Sequence, residues 1–462
     1  MKKIIALVLA AMMLLACCSA LAEAPEGYPE IIEGLDFGGA DVYIYDWWSG
    51  DTRVDDPDEE TQLRYDYIDW LQETYNCTIH ETALSDWEGN PQELANRVMN
   101  KDNSELAIIA VAGGFAGKAL ANDLYMPWTY GLDGDLYLQS VSDFMTKDGV
   151  VYGVSAGSIE PRQGVFFNKK VLEDANIDWN ELYDLQANNE WTWDKFEEYM
   201  DKVQVDKDGD GVYDVYALTG NGDDVFIGLV VSNNADFYGY NEEGKLVPTI
   251  QTDEMYEAID RRAEWGSKYM EPNEAWDDYK SFWPQGNVAF IIGQSYEGFN
   301  GNDLVNEIDE WGFVAMPVGP HGTTYTSAAE NNVYGIPNVY DEETSLKLQQ
   351  LYTLYRLDTP GVEQDEYSWA TSYYGLTDDR AIEETYAMLR EGEHATIMKF
   401  NLLGGRNDVC TEVMWSIGSD TAAAICEAAM PAFQGRCDVF NGDITQEELD
   451  AQNAAAEEAA AE

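Results

Sequence analysis

Apolar and polar positions alternate along the chain in two rhythms. "DVYIYDWW" (41–48) is β-branched and aromatic and predicts a strand ending in paired tryptophans. In "ETQLRYDYIDWLQETY" (60–75), Leu63, Tyr67, Trp70, Leu71 and Tyr75 fall on one helical stripe. "TIHETAL" (78–84) predicts a second strand and "NPQELANRVMN" (90–100) a short helix. "ELAIIAVAGG" (105–114) predicts a buried strand closed by Gly113 and Gly114. Strands separated by helices in this way predict a parallel α/β sheet.

The rhythm continues downstream. "GVVYGVSAG" (149–157) reads as a short strand, and "GVFFNKKVLEDANI" (164–177) as strand then helix. "NNEWTWDKFEEYMDKV" (188–203) contains a helix starting near Thr192, with Asp194 in its first turn. "VYALTG" (215–220) follows an acidic loop. Residues 252–270 and 343–357 are strongly periodic helices, and between them 286–293 and 311–320 are apolar strands. The tail from Thr445 is helix-permissive, acidic and poor in bulky apolar residues, which predicts a frayed or flexible end. The chain shows no internal repeat.

Composition sharpens the picture. A chain of 462 residues with 45% hydrophobic content supports two or three lobes. Its 87 Asp plus Glu stand against 26 Lys plus Arg, a formal charge of −61. That excludes nucleic acid, whose phosphates need a basic footprint, and disfavours anionic lipid and polyanionic glycans. Neutral or cationic ligands suit the field, although most of the acidity serves solubility. The 14 Trp and 29 Tyr exceed what charge alone calls for, and such rings stack on apolar ligand faces as well as filling cores.

Residues 1–22 form an export signal: a basic "MKK", an apolar "IIALVLAAMMLLA", then small and polar residues. Two processing readings stand side by side. "ALA" before Glu23 fits signal cleavage, and "LLAC" resembles a bacterial lipobox with Cys17 as lipid anchor. Four cysteines remain, at 77, 410, 426 and 437. Export allows one disulfide among the last three, or a bridge from Cys77, and the connectivity stays open. Spacings of 16 and 11 residues match no zinc pattern.

Three motifs carry candidate chemistry. "GVSAG" (153–157) matches the nucleophile elbow G-x-S-x-G, but Pro161 and Gly164 break the helix that must follow it. "DKDGDGVYD" (206–214) places Asp206, Asp208, Asp210 and Asp214 at positions 1, 3, 5 and 9 of a calcium-type loop. Gly211 stands at 6, and Ala217 at 12 where a bidentate Glu is needed. The loop is thus either a structural calcium site completed by a distant carboxylate or an Asx- and Gly-rich turn. Third, the strand ends are small, polar or aromatic: Asp46, Trp47 and Trp48; Gly113, Gly114 and Phe115; Gln294, Ser295 and Tyr296. Ligands of open parallel sheets sit beyond such ends, and a sugar needs this mixture of stacking and hydrogen bonding.

The segments "VVYGVSAG", "GVFFNKKVLEDANI", "WTWDKFEEYMDKV", "DKDGDGVYDVYAL", "QGNVAFIIGQSYEGF", "WGFVAMPVGPHG" and "NNVYGIPNVYDEETSLKLQQLYTLY" carry a resemblance in their order and spacing. They resemble the extracellular solute-binding proteins of ABC importers, in the sugar-binding family (family 1) that includes maltose-binding protein. The resemblance implies an α/β, two-lobed periplasmic-binding-protein-like fold with a hinge and an interlobe ligand cleft. It places the N-lobe at 25–158 plus 286–338, the C-lobe at 159–285 plus 339–444, and a tail at 445–462. It implies a monomeric, exported, non-enzymatic protein that closes around a neutral carbohydrate and delivers it to a permease. No cofactor is required beyond the structural calcium ion that some members hold. The expected ligand-binding set is Asp46, Trp47, Trp48, Gly113, Phe115, Glu160, Arg162, Gln294, Ser295, Tyr296, Tyr374 and Trp415. For Glu160 and Arg162 a hinge ion pair is the competing role. An exported carbohydrate-active enzyme with a calcium brace is the alternative function, and a calcium-dependent adhesion module a third.

Overall fold

The protein was analysed as a computed structural model describing residues 24–50, 52–272, 279–299, 310–363, 367, 370, 376–403, 405 and 411–461. The export signal, Cys410 and Tyr374 lie outside the described residues. The main strands are, in chain order, β1 (Ala40–Asp46), β2 (Cys77–Ala83), β3 (Leu106–Val111), β4 (Gln163–Asn168), β5 (Tyr216–Gly220), β6 (Val288–Gln294), β7 (Trp311–Ala315), β8 (Ser327–Ala329), β9 (Val333–Gly335) and β10 (Ala395–Ile397). The main helices are α1 (Glu59–Tyr75), α2 (Gly89–Asn100), α3 (Gly113–Ala121), α4 (Trp193–Val203), α5 (Gly222–Ser232), α6 (Asp253–Lys268), α7 (Glu342–Arg356), α8 (Ala422–Phe440) and α9 (Gln446–Ala461).

Two four-stranded sheets organise two lobes. The first has the order β9-β3-β1-β2 and the second β7-β4-β6-β5. In the first, β1 pairs in parallel with β2 and β3, as the alternating strands and helices predict, and β9 returns antiparallel to β3. In the second, β5 and β6 are parallel, and β4 runs against both β6 and β7.

The lobe limits differ from the sequence partition. Residues 286–338 were expected in the first lobe, but β6 and β7 pair in the second sheet. Every residue of β6 is buried, so the strand has neighbours on both edges and both faces. A uniformly apolar run reports burial and not which sheet it enters. Conversely, α7 was expected in the second lobe. Its Leu348, Leu351 and Tyr352 pack with Val42, Ile44 and Tyr67 of the first, and the Tyr67 hydroxyl donates to the Leu354 carbonyl at 2.7 Å.

Other expectations resolve locally. Thr192 caps α4, its hydroxyl accepting from the Lys195 amide at 3.3 Å. The segment 149–157 forms only a two-residue strand at Val150–Val151, followed by isolated bridges at Val154 and Ala156. The tail is helical over its described length. Thr445 and Glu448 cap each other reciprocally, and Leu449 lies over Gly435. Cys426 and Cys437 are free, buried thiols on the single helix α8, and Cys77 is free and buried in the first lobe. Eleven residues of helix separate the first two by about 16 Å, beyond disulfide reach. Burial pushes the Cys426 thiol up to about 11 and the Cys437 thiol up to about 12. Among the described residues, no helix is long and apolar enough to cross a membrane.

The second sheet is closed by two glycines lying under aromatic rings. Gly312 sits opposite Phe167, and a Cβ built there would meet the Phe167 ring at 2.1 Å. Gly164 is covered in the same way by Phe313, at 2.2 Å. Such close cover leaves no room for a methyl group without moving a buried ring. Gly312→Ala is expected to destabilise the protein by about 1–3 kcal/mol, measured as a lowered midpoint in urea with an unchanged slope.

Candidate functional site

The chain passes between the lobes three times, the last after α7, and the entry points of the first two crossovers decide which edges lie beside the hinge. The first, 155–162, leads into the amino end of β4. The second leaves β8 and enters β9 at Val333, which pairs with Val111 at the carboxyl end of β3. Because β4 is antiparallel to β6, its amino end lies beside the carboxyl end of β6, at Gln163 opposite Gln294. The carboxyl edges of both sheets therefore flank the hinge.

The crossovers are laced together. The Arg162 amide donates to the Ala328 carbonyl at 2.7 Å, and Pro161 bridges to Ala329. The Glu160 amide donates to the Asn331 Oδ1 at 3.0 Å, and the Asn331 Nδ2 donates to the Ser158 carbonyl at 3.0 Å. The Arg162 guanidinium donates to the Glu330 carbonyl at 2.7 Å, and the Glu330 carboxylate accepts from the Gly114 amide at 3.2 Å. Glu160 pairs with Arg390 at 3.4 Å. Glu160 and Arg162 thus act within the hinge, each with its own partner, and Gly113 and Gly114 pack beneath Glu330 and Asn331.

The first-lobe edge is an aromatic shelf on a polar frame. Asp46, fully buried, accepts from the Trp48 amide at 2.9 Å, the Ser49 amide at 2.8 Å and the Ser49 hydroxyl at 2.5 Å. That turn presents Trp47 half-buried and Trp48 53% exposed, edge to face with ring centroids 4.7 Å apart. Trp87, after β2, meets Phe115 at the start of α3 with centroids 5.0 Å apart. Asn90 ties the three strand ends together. Its Nδ2 donates to the carbonyls of Asp46 and Ala110, and its Oδ1 accepts from the Ser85 amide. Trp87 and Asn90 were missed from the sequence. Trp87 lies three residues past the β2 pattern, and a lone Asn before a helix reads as an ordinary cap.

The second-lobe edge is polar and buried beneath an exposed ring. Asp224, in the first turn of α5, accepts from the Gln163 Nε2 at 3.1 Å and the Gln294 Nε2 at 3.3 Å. Glu297, 5% exposed, accepts from the Gln294 amide at 3.1 Å and from the Tyr279 hydroxyl. The Gln163 Oε1 is buried without a hydrogen-bond partner among the described residues. Ser295 is tied to the hinge, its amide donating to the Arg162 carbonyl at 2.7 Å and its hydroxyl to the Pro161 carbonyl at 2.6 Å. Tyr296, 37% exposed, stands over the Arg162 guanidinium at 5.5 Å. Trp415 is 73% exposed, and its neighbour Met414 touches Gly222 at the start of α5, on the same edge. Gln163, Asp224, Tyr279 and Glu297 were missed because isolated polar residues inside apolar runs give no spacing signal.

The acidic loop lies elsewhere. It joins α4 to the amino end of β5, while the cleft takes the carboxyl end. Ligand oxygens of Asp206, Asp208 and Asp210 come within 4.8 Å of one another. Asp214 turns to the Lys207 amide at 2.5 Å. Asp206 accepts from the Gly209 and Gly211 amides, which hold its carboxyl below the usual value. Ser155 of "GVSAG" is buried, and its carbonyl accepts from the Leu138 amide. His321 and His394 face Glu257 and the Tyr325 carbonyl, so no triad assembles around Ser155.

The sequence pattern of the family described as bacterial extracellular solute-binding protein matches residues 85–342. Comparison with curated proteins gives no sequence match. Solved structures share the fold at low identity. One is a cyclo/maltodextrin-binding protein complexed with maltotetraose (12% identity, TM-score 0.60, 88% of this chain and 97% of that one). Another is the cyclic alpha-maltosyl-1,6-maltose binding protein of Arthrobacter globiformis (14%, 0.59, 87% and 99%). A third is UgpB of Mycobacterium tuberculosis in complex with glycerophosphocholine (14%, 0.58, 87% and 99%).

Burial first, then the neighbouring Asp224 charge, raises the Glu297 carboxyl from its ordinary 4.5 to about 7, against hydrogen bonds from Tyr279 and Gln294 that lower it. The unfolded chain ionises this group near its ordinary value, so between pH 4.5 and about 7 the folded state binds more protons. Stability from this group is full below that window and falls as pH rises through it. The melting temperature should drop between pH 5 and pH 8, and Glu297→Gln should flatten that slope. An unchanged slope in the variant would assign the effect to other groups.

Proposed function

Because the chain belongs to the bacterial extracellular solute-binding protein family, we propose that it captures a neutral sugar or oligosaccharide between its lobes and delivers it to the permease of an ABC importer. What supports this reading is the set of exposed rings at the sheet edges beside the hinge: Trp48 and Trp87 in one lobe, Tyr296 and Trp415 in the other. Flat rings stack on the apolar faces of pyranoses, and buried amide and carboxylate groups such as Gln163 and Asp224 suit hydroxyls at the rim. The Gln163 Oε1, without a hydrogen-bond partner among the described residues, supports a hydrogen-bonding ligand there. The net charge of −61 favours a neutral solute over an anionic one.

The protein acts as a monomeric binder with no catalytic step, exported and held at the cell surface through Cys17 or released after Ala22. A second reading is a choline-type ligand, whose quaternary ammonium suits a cage of aromatic rings in an acidic field. In the acidic loop, calcium braces the second lobe without touching the solute.

Calorimetric titration with neutral mono- and oligosaccharides, alongside a choline ester, separates these readings. Trp48→Ala and Tyr296→Ala remove exposed rings and should each weaken solute binding about tenfold, a loss of about 1.4 kcal/mol, with little change in melting temperature. A triple variant with Asn at 206, 208 and 210 should lose the calcium-dependent rise in melting temperature and keep solute affinity within about twofold. A solute affinity that needs calcium would instead place the loop in the site.

A further inference from the structure

A second cluster of metal-ligating groups lies beside the hinge crossovers. Ligand atoms of Glu391, Glu393 and His394 fall within 4.8 Å of one another. The His394 side chain is only 13% exposed, and its ring is fixed from outside the cluster. Its Nδ1 lies 2.8 Å from the Tyr325 carbonyl, an acceptor, so Nδ1 carries the proton and donates. That leaves the Nε2 lone pair facing the carboxylates, with the Glu393 Oε1 at 3.7 Å. An imidazole whose second nitrogen donates to a carbonyl is the arrangement that makes a good metal ligand. The other histidines differ. His80 Nε2 contacts the single carboxylate of Asp41, and His321 has Glu254 and Glu257 on opposite ring nitrogens.

The backbone supplies the spacing. The amide of His394 donates to the Glu391 carbonyl at 2.9 Å, a tight turn that brings both flanking carboxylates to the ring. Around a tetrahedral ion with bonds of about 2.0–2.1 Å, ligand atoms stand about 3.3 Å apart. Closing from the present spread needs a shift of up to about 1.5 Å, within reach of the exposed Glu391 and Glu393 side chains. One imidazole and two carboxylates suit a borderline divalent ion such as zinc and offer too few oxygens for calcium.

We propose that Glu391, Glu393 and His394 bind a divalent transition-metal ion of the zinc type, which braces the hinge. The placement gives the brace its meaning. Arg390, next to the turn, pairs with Glu160 of one crossover. β10, immediately after it, pairs with β8 of the other, and the Ser327 amide donates to the His394 carbonyl at 2.9 Å. A metal at this turn fixes a segment bonded to both crossovers. The site is independent of what solute the cleft takes.

The test is calorimetric titration of the metal-stripped full chain with zinc chloride, with melting temperature as a second readout. One zinc per chain is expected, with a rise in melting temperature. Glu391→Gln with Glu393→Gln, both exposed, should keep the fold and weaken zinc binding by about tenfold or more, as should His394→Ala. The triple Asn variant at 206, 208 and 210 should bind zinc as the wild type does. No zinc binding by the wild type, or undiminished binding by the double Gln variant, would overturn the site. Zinc binding with no change in melting temperature would overturn the brace.

Discussion

The whole arrangement depends on two strands of chain crossing between the lobes and hydrogen-bonding to each other rather than to either sheet alone. Asn331 spans them from both ends, to Glu160 and Ser158, and Arg162 reaches back to the Glu330 carbonyl. This lacing fixes where the lobes meet, with the carboxyl edges of both sheets beside it. Backbone groups at those ends run out of ladder partners and must find others. In the first lobe Asp46 and Asn90 supply them, and in the second Glu297 and the Gln294 side chain do, while Asp224 holds the side-chain amides of Gln163 and Gln294. With the ends satisfied locally, the aromatic rings beside them are left exposed. The cleft is polar underneath and flat on top for that reason.

The electrostatics follow the same division. The chain is strongly acidic, yet the acids at the cleft are largely spent on structure. Asp46 holds a turn, Asp224 collects two glutamine amides, and Glu297 is buried enough to keep its proton near neutral pH. What is offered to a ligand is therefore mostly aromatic surface and amide groups, which matches an uncharged polyol better than an ion. At the amino end of β5, the aspartates of the acidic loop use their oxygens on neighbouring amides.

Much of this was legible in the sequence, and the exceptions have physical causes. The parallel core β2-β1-β3, the cap at Thr192 and the helices at 252–270 and 343–357 follow from periodicity and capping. Assigning β6, β7 and α7 to lobes did not follow. An apolar strand or an amphipathic helix says that it is buried without saying against what. Trp47, Trp48, Tyr296 and Trp415 stand out in the sequence because strand ends and aromatic residues announce themselves, and the structure leaves Trp48, Tyr296 and Trp415 exposed. Glu160 and Arg162 were found too, and the structure gives them hinge partners. Gln163, Asp224, Glu297 and Asn90 act through partners up to 70 positions away in the sequence, and local pattern carries no record of such pairs.

The central claim is that solute binds between the two carboxyl edges and nowhere else on the chain. Amide hydrogen exchange, with and without a saturating sugar identified by calorimetry, tests it most directly. The account predicts new protection at 46–49, at 113–116 and at 294–298, on both sides of the cleft, with none at 206–214. Protection confined to one lobe, or centred on the acidic loop, would contradict it.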